Sequence, residues 1–594
     1  SEARADRKRR IRRGLVRRLC NFARAEELAR FVRQTTVSGD HTAGELVASV
    51  EVDGPDGRLL LSEPHAVAAA ARVVFESWVP IRDAPLCTDG MSRFWTHVYK
   101  VLLRAKALSV EASNALTAPV SEVEFISVLK ATSKSSSPGV SGTAYKHLKQ
   151  LVPGHPFLLA LLRMLNLCIA QERVPPVFRR GLLRPIPKSD GSADLAKSRP
   201  ITLLEAPLKI LTRVLLRRLE VALTITGLLP GGNFAFGRGL STTDPLIAMR
   251  TLLERARDAK LPFAIALIDV TKAYDSICFP SLRHTLDILN VSAAFTNLFA
   301  SLYADLTSQV ITAYGLSEPF MVRRGVAQGE CSSPLLFLIF MAPMLLALRE
   351  TTEAPQGRGV GFTISAGRRG VSKVVVSNTA FADDLALFST TALGLQVLCD
   401  VVSEFLAMHG LEVSVKKTLI LDGLDPARRR RRGRHKQYPC NEELAALRVG
   451  GACLPEANII SDPDGMFRYL GVCFCASLSV QPQLTVLRER LFRDCAVLGH
   501  RALTAHMLRF LVTSVLWPRL IYALALHPVT PKQLAWLEAP ALQWARRALR
   551  LPSSFPTAPV LSAATLGLVG LQACWEEHVI AEAEVLLNGV GLGS

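Results

Sequence analysis

Two parts of the chain carry the apolar pattern of strands and are each interrupted by carboxylates. The run Phe263 to Ile268 (FAIALI) is continuously apolar, as in a strand buried on both faces, and it stops at Asp269. Further along, VSKVVVSNTAFA and LALF are short and β-rich. They predict two strands joined tightly, with Asp383 and Asp384 at the turn. Elsewhere the periodicity is helical. An Ala-rich segment around His65 to Trp78 predicts a helix, and TAPVSEVEFISVLK pairs an N-capping signal with an amphipathic one, followed by a Ser/Pro/Gly loop and another helix. Beyond about Gln481 long amphipathic segments bearing arginines predict a separate helical domain. No repeat of solenoid length is present.

Aspartate is a common turn residue, which accounts for one carboxylate at a hairpin tip better than for two. Two unit charges about 4 Å apart repel by roughly 4 kcal/mol at an effective dielectric near 20, and burying them unpaired costs more. A cation relieves both. From the hairpin alone, turn and metal site are equally good readings. Asp269 by itself reads as a helix cap or turn residue. Taken with the pair, it supplies the third carboxylate of a site that could hold two divalent cations about 3.5 to 4 Å apart, the arrangement used to join nucleotides.

The composition narrows the partner. The chain has 594 residues, 49% hydrophobic and 20% charged, enough for a large core and more than one domain. Lys plus Arg exceed Asp plus Glu by 70 − 51, a net charge of +19, which points to a polyanion: nucleic acid before an anionic membrane. No apolar run is expected to reach the roughly 20 residues that span a bilayer, the longest being interrupted by Arg, Pro or Gly. The Arg-rich start lacks an initiating Met and a signal-peptide core, so the chain is expected to be a piece of a longer product. A second basic run, Arg428 to Lys436, predicts an exposed loop. The twelve cysteines show no zinc-ligand spacing and are expected to be reduced thiols of an intracellular protein.

An ordered series of motifs resembles the reverse transcriptases of non-LTR (LINE-type) retrotransposons. SSSPGVSG at 135–142 is similar to their opening block and RPIPKSDGSADLAKSRPIT at 184–202 to their fingers segment. DVTKAYDSI at 269–277 is similar to the first palm block and GVAQGECSSPLLF at 325–337 to the block after it. FADD at 381–384, LEVSVKKT at 411–418 and FRYLG at 467–471 complete the series. The resemblance covers about residues 115 to 480. It implies an α+β right-hand polymerase, with an antiparallel palm sheet and a helical thumb. The expected division is a basic, mostly helical N-terminal extension (1–94), fingers and palm (95–480), and a thumb with C-terminal segment (481–594).

The same resemblance implies roles. Asp269 and Asp383 would be the main ligands of two Mg²⁺ ions and Asp384 a supporting carboxylate, an oxygen-only set suited to that ion. Tyr274 would exclude a ribose 2′-hydroxyl. Gln328 and Gly329 would let backbone approach the incoming nucleotide, and Lys188 and Arg199 would contact its triphosphate. Lys417 would assist the leaving pyrophosphate, and Phe467, Tyr469, Leu470 and Gly471 would form the primer grip. Each of the three cations, taken alone, reads as an ordinary surface charge.

The implied partners are an RNA template, a DNA primer or nicked target DNA, and dNTPs, at a nuclear site of action and without a membrane. The block NFAFGRGLSTTD at 233–244 departs from the family pattern, with Asn233 for Gln, Ala235 for Gly, Gly237 for Arg and Leu240 for Arg. Template contacts there are in doubt, although Arg238 could replace one cation; Ser414 also stands where Asn is common. The stretch after FADD looks closest to elements that carry a restriction-like endonuclease after the polymerase. An intron-encoded reverse transcriptase would need a maturase-like domain after the thumb, which the residues beyond Leu551 do not obviously supply. A noncatalytic RNA-binding descendant would be favoured by loss of a metal aspartate, and an RNA polymerase is disfavoured by Tyr274.

Overall fold

The structure is a computed structural model, and it describes residues 46–54, 57–79, 91–187, 194–229, 232–235, 240–326, 329, 333–353, 360–366, 372–425, 441–498 and 505–554. These fall into two compact units, a larger one of residues 46–470 and 475–478 and a smaller one of residues 471–474 and 479–554.

The larger unit mixes helix and sheet. Its central five-stranded sheet runs in the order Asn378–Phe381, Asp384–Ser389, Phe263–Ile268, Leu419–Gly423, Ile459–Ile460. The first four strands are antiparallel neighbours, and only the last pair is parallel. Ala264, Ile265, Ala266 and Ile268 are all buried, so the Phe263 strand is covered on both faces as its unbroken apolar run requires. Helix Ala392–Met408 packs on the Asp384 and Phe263 strands and against helix Ser333–Glu353.

The expected strand VSKVVVSNTAFA is broken at Ser377. Ser372–Val376 pairs with Phe362–Ala366, and Asn378–Phe381 pairs with Asp384–Ser389. The Ser377 carbonyl accepts from Phe388 N–H at 2.8 Å, so the chain changes partner without losing that hydrogen bond.

A second sheet centres on strand Arg180–Pro187, antiparallel to Ser198–Leu203 and parallel to Thr307–Thr312. Helix Pro64–Glu76 and the turn after it close it: Val67, Ala71 and Phe75 of the helix and Trp78 of the turn share a core with Leu183, Val310 and Phe320. The helix agrees with the pattern read around His65 to Trp78. However, the stretch expected to be a mostly helical extension also contains a hairpin, Val50–Gly54 with Gly57–Leu61, and residues 46–79 are part of the larger unit's packing. Its apolar face had no partner visible in local sequence; the partner is a sheet more than 100 residues away.

The smaller unit is helical: Gln481–Leu498, Ala505–Leu511 continuing through Trp517–Leu524, and Pro531–Ala548. The last begins with a capping box, the Thr530 side chain accepting from Gln533 N–H at 3.3 Å. Arg519 pairs with Asp494 at 3.0 Å, and the Arg488 guanidinium lies 4.0 Å over the Trp536 ring.

One expectation is corrected. Two helices, Ser333–Glu353 and Met507–Leu524, are long and apolar enough to cross a membrane by length and composition. Residues read as interruptions, Pro343 and the arginines, sit inside continuous helix. Ser333–Glu353 is mostly buried in the larger unit's core.

Candidate active site

The site is built at one end of the central sheet. Phe381 pairs with Asp384, which leaves Ala382 and Asp383 as a two-residue hairpin turn. Ala382 takes a left-handed conformation, φ +54°, although it is not glycine; such a residue costs about 1–2 kcal/mol. The last paired position with the neighbouring strand is Leu385 with Ile268, so Asp384 and Asp269 are the next residues beyond it on the two chains. Two adjacent carboxylates and a third more than 100 residues earlier in sequence thus arise from two neighbouring strand ends and the turn between strands.

Asp269 ends its strand because the chain beyond it pairs with a loop. Its carbonyl accepts from Ser414 N–H at 2.8 Å and its N–H donates to Thr418 Oγ1 at 3.4 Å, while Thr271 N–H donates to the Glu412 carbonyl. That pairing delivers Lys417, whose ammonium lies 3.3 Å from Asp269 Oδ2. Asp384 has the opposite surroundings. Its side chain opens to solvent, yet the packed sheet end beneath it, and then the charges of Asp383 and Asp269, push its carboxyl up to about 6. The influence of both other aspartates on one group shows that the three share an electrostatic neighbourhood.

Tyr274 stands in the same place. It follows Lys272, itself left-handed at φ +46°, in the short helix Ala273–Ser276, and it stacks on Phe337 with ring centroids 4.7 Å apart. Burial first, and then the Asp383 charge, raise its hydroxyl above the usual range. The GVAQG block is laid onto this segment: Val326 N–H donates to the Tyr274 carbonyl and Gly325 N–H to that of Ile277. Gly325 has φ +84°, and a Cβ there would come within 2.7 Å of the Asp275 backbone, so glycine is required by both conformation and space.

The remaining expected residues separate into groups. Gly329 (φ +94°) lies against Ile201 and Thr202, two to three residues from the exposed Arg199 on the Ser198 strand, so those two belong to the second sheet. Lys188 and Gln328 lie outside the described residues, as do Arg238 and the run Arg428 to Lys436. Phe467 and Tyr469 are buried, with Arg468 exposed between them. Tyr469 OH is 3.2 Å from Thr379 Oγ1, so its side chain braces the aspartate hairpin instead of facing outward. Leu470 and Gly471 form a left-handed pair, φ +46° and +87°.

Sequence reasoning missed two supports. Trp78 receives the Lys272 ammonium 4.0 Å over its ring, and the buried Glu205 accepts from both the N–H and the hydroxyl of Ser141 inside the SSSPGVSG block. Neither has a local signal, since each partner is remote in sequence.

The donor set at the site is all carboxylate oxygen, which fits a hard divalent cation. Among the described residues, no three His, Cys, Asp or Glu side chains are drawn together tightly enough to hold a metal ion as they stand. The fit rests on the shared strand ends and on the coupling of Asp384 to both neighbours.

The family described as reverse transcriptase (RNA-dependent DNA polymerase) matches residues 186–474. The chain is 27% identical over 443 residues to the retrovirus-related Pol polyprotein from the type-2 retrotransposable element R2DM of Drosophila melanogaster, covering 74% of this chain and 38% of that protein. It is 25% identical over 413 residues to the corresponding polyprotein from the type-1 element R2 of Popillia japonica, covering 68% and 51%. A similar polyprotein of Bradysia coprophila is 23% identical over 502 residues, 83% of this chain and 52% of that one. The chain therefore spans between 38% and 52% of the length of these relatives.

Proposed function

We propose that this chain, whose residues 186–474 match the reverse transcriptase family and which is similar to Pol polyproteins of R2 retrotransposable elements, is an RNA-directed DNA polymerase of a non-LTR (LINE-type) retrotransposon, extending a DNA 3′-hydroxyl on an RNA template. The observation that supports this most is the placing of Asp269, Asp383 and Asp384 at neighbouring strand ends and the turn between them, close enough that the Asp383 charge acts on both Asp384 and Tyr274. In this reading the central sheet is the palm of a right hand, the second sheet with Arg199 forms fingers, and the smaller helical unit is the thumb. Net charge of +19 suits a groove for an RNA and DNA hybrid held through its backbone and shape.

Asp269 and Asp383 would hold two Mg²⁺ ions and Asp384 would support them. Those ions, when bound, would supply activation of the primer hydroxyl and neutralisation of the triphosphate charge. The chain's own residues do the rest. The turn at Ala382 presents Asp383 beyond the sheet end. Lys417, on the loop that Ser414 hydrogen-bonds to the Asp269 strand end, would be the cation that meets departing pyrophosphate. Tyr274, fixed from behind by Phe337, sets the space beside the sugar. Arg199 offers a guanidinium fork to phosphate from the second sheet. Extension at a nicked chromosomal target, in the nucleus, is the setting that best suits such an enzyme.

Primer extension by the purified chain on matched RNA and DNA templates tests the proposal. Incorporation of dNTPs on the RNA template supports it, and activity confined to DNA templates or to ribonucleotides would overturn it.

A further inference from the structure

Asn233 was notable in the sequence only as a departure from the family pattern. In the structure it is 2% exposed, and both ends of its side-chain amide bond to the backbone of Ala382. Nδ2 donates to the Ala382 carbonyl at 3.2 Å, and Oδ1 accepts from Ala382 N–H at 3.0 Å and from Ala235 N–H at 3.1 Å. Two backbone donors facing one oxygen, and a carbonyl facing the nitrogen, fix which way the amide points; a flip would set its NH₂ against two N–H groups. The surrounding backbone docks as well. Phe234 N–H donates to the Ala380 carbonyl at 2.9 Å, and Asn233 bridges Ala380 in parallel register.

Ala382 is buried and is the left-handed residue of the hairpin turn. Its peptide groups lie beyond the last paired position of the hairpin, Phe381 with Asp384, so the ladder does not satisfy them and buried peptide groups need partners. The Asn233 amide carries the same donor and acceptor as a peptide, and it serves as a one-residue strand partner for the turn. Asp383 is bonded directly to Ala382, so any rotation of that peptide swings the Asp383 carboxylate.

We propose that Asn233 is a positioning residue for nucleotide transfer: its side chain holds the strained turn at Ala382 and thereby fixes the direction of Asp383. The catalytic half of this rests on the assignment of Asp383 as a metal-holding carboxylate. The positional half does not.

The test compares the wild-type chain with Asn233→Ala, Asn233→Asp, Asn233→Ala combined with Ala382→Gly, and Asp383→Asn. Single-nucleotide extension on a primed RNA template gives kcat, the KM for dNTP and the Mg²⁺ concentration at half-maximal rate. Hydrogen exchange of residues 378–389 without Mg²⁺ or nucleic acid reports the turn itself. Asn233→Ala should lower kcat by about ten- to a hundredfold, as a misplaced group does, leave the dNTP KM nearly unchanged and raise the Mg²⁺ requirement. Exchange should quicken in 378–389 and not in the Phe263 strand. Asn233→Asp keeps the acceptor and loses the donor, so it should fall between. Glycine takes the left-handed conformation freely, so Ala382→Gly should restore part of the kcat lost in Asn233→Ala. Unchanged kcat with unchanged exchange overturns the proposal. So does faster exchange throughout the larger unit with no rescue, which would make Asn233 a general core residue. An active Asp383→Asn enzyme would strike the site assignment, while exchange in 378–389 would still decide the clamp.

Discussion

The two strand ends that meet at the site are adjacent and yet balanced differently. Asp269 carries its own counter-charge, Lys417 at 3.3 Å, brought by a loop that is hydrogen-bonded to the strand beyond it. Asp384, on the neighbouring strand, has its carboxyl pushed up to about 6 by its packed surroundings and then by the charges of Asp383 and Asp269. The contrast teaches where cationic charge is wanted. The Asp269 side is partly neutralised by the protein; the hairpin side concentrates negative charge that a divalent ion and a triphosphate-bearing substrate complex would balance.

The comparison breaks most severely if the shared carboxylate is removed. Asp383→Asn or Asp269→Asn should lower the extension rate by about a thousandfold or more, on the order of 4 kcal/mol of lost transition-state stabilisation. Steady-state extension with matched Tm values checks that the loss is chemical and not unfolding. Next in size is Tyr274→Val, which should keep dNTP incorporation and raise ribonucleotide use by about a hundredfold, since the space beside the sugar is then open. Competition between dNTPs and NTPs on one template measures it; a wild-type chain that already uses both equally contradicts the role given to Tyr274.

Asp384→Asn sharpens the comparison through pH. A carboxyl raised to about 6 in the folded chain is still protonated where the unfolded chain has lost its proton. Folding is therefore favoured below the unfolded value near 4, and that contribution is lost as pH rises through 6. In EDTA, the substitution should make the protein more stable than wild type above pH 6 and leave it equal near pH 4, read by thermal melts across pH. Its activity loss should be milder than that of Asp383→Asn, about ten- to a hundredfold. The smallest effect is expected from Lys417→Ala. The exposed ion pair contributes no more than about 1 kcal/mol to stability, and the rate should fall by only about threefold to tenfold, most visibly when pyrophosphate release is monitored.

Much of this site was legible in the sequence, for physical reasons. FAIALI had to be a strand covered on both faces, and the carboxylates stood where the apolar runs stopped. The end at Gln481 was marked by a change to amphipathic periodicity, and the helix begins there. Other features depended on contacts that no local pattern records. Residues 46–79 pack on strands from 180 onward, and Asn233 acts on a backbone 149 positions away. Ser377 changes partner within an apparently single strand because the Phe362 strand arrives from outside it. The orientation of Phe467 and Tyr469 was available in the two-residue alternation around Arg468, but the motif had drawn attention to contact with primer. Their burial turns the segment into a brace for the hairpin, through Tyr469 and Thr379.

The most direct measurement is single-turnover extension of a DNA primer on an RNA template by wild type, Asp383→Asn and Asp384→Asn at fixed Mg²⁺. The account requires a robust wild-type rate, near abolition in Asp383→Asn and an intermediate rate in Asp384→Asn. Equal rates in wild type and Asp383→Asn would contradict it.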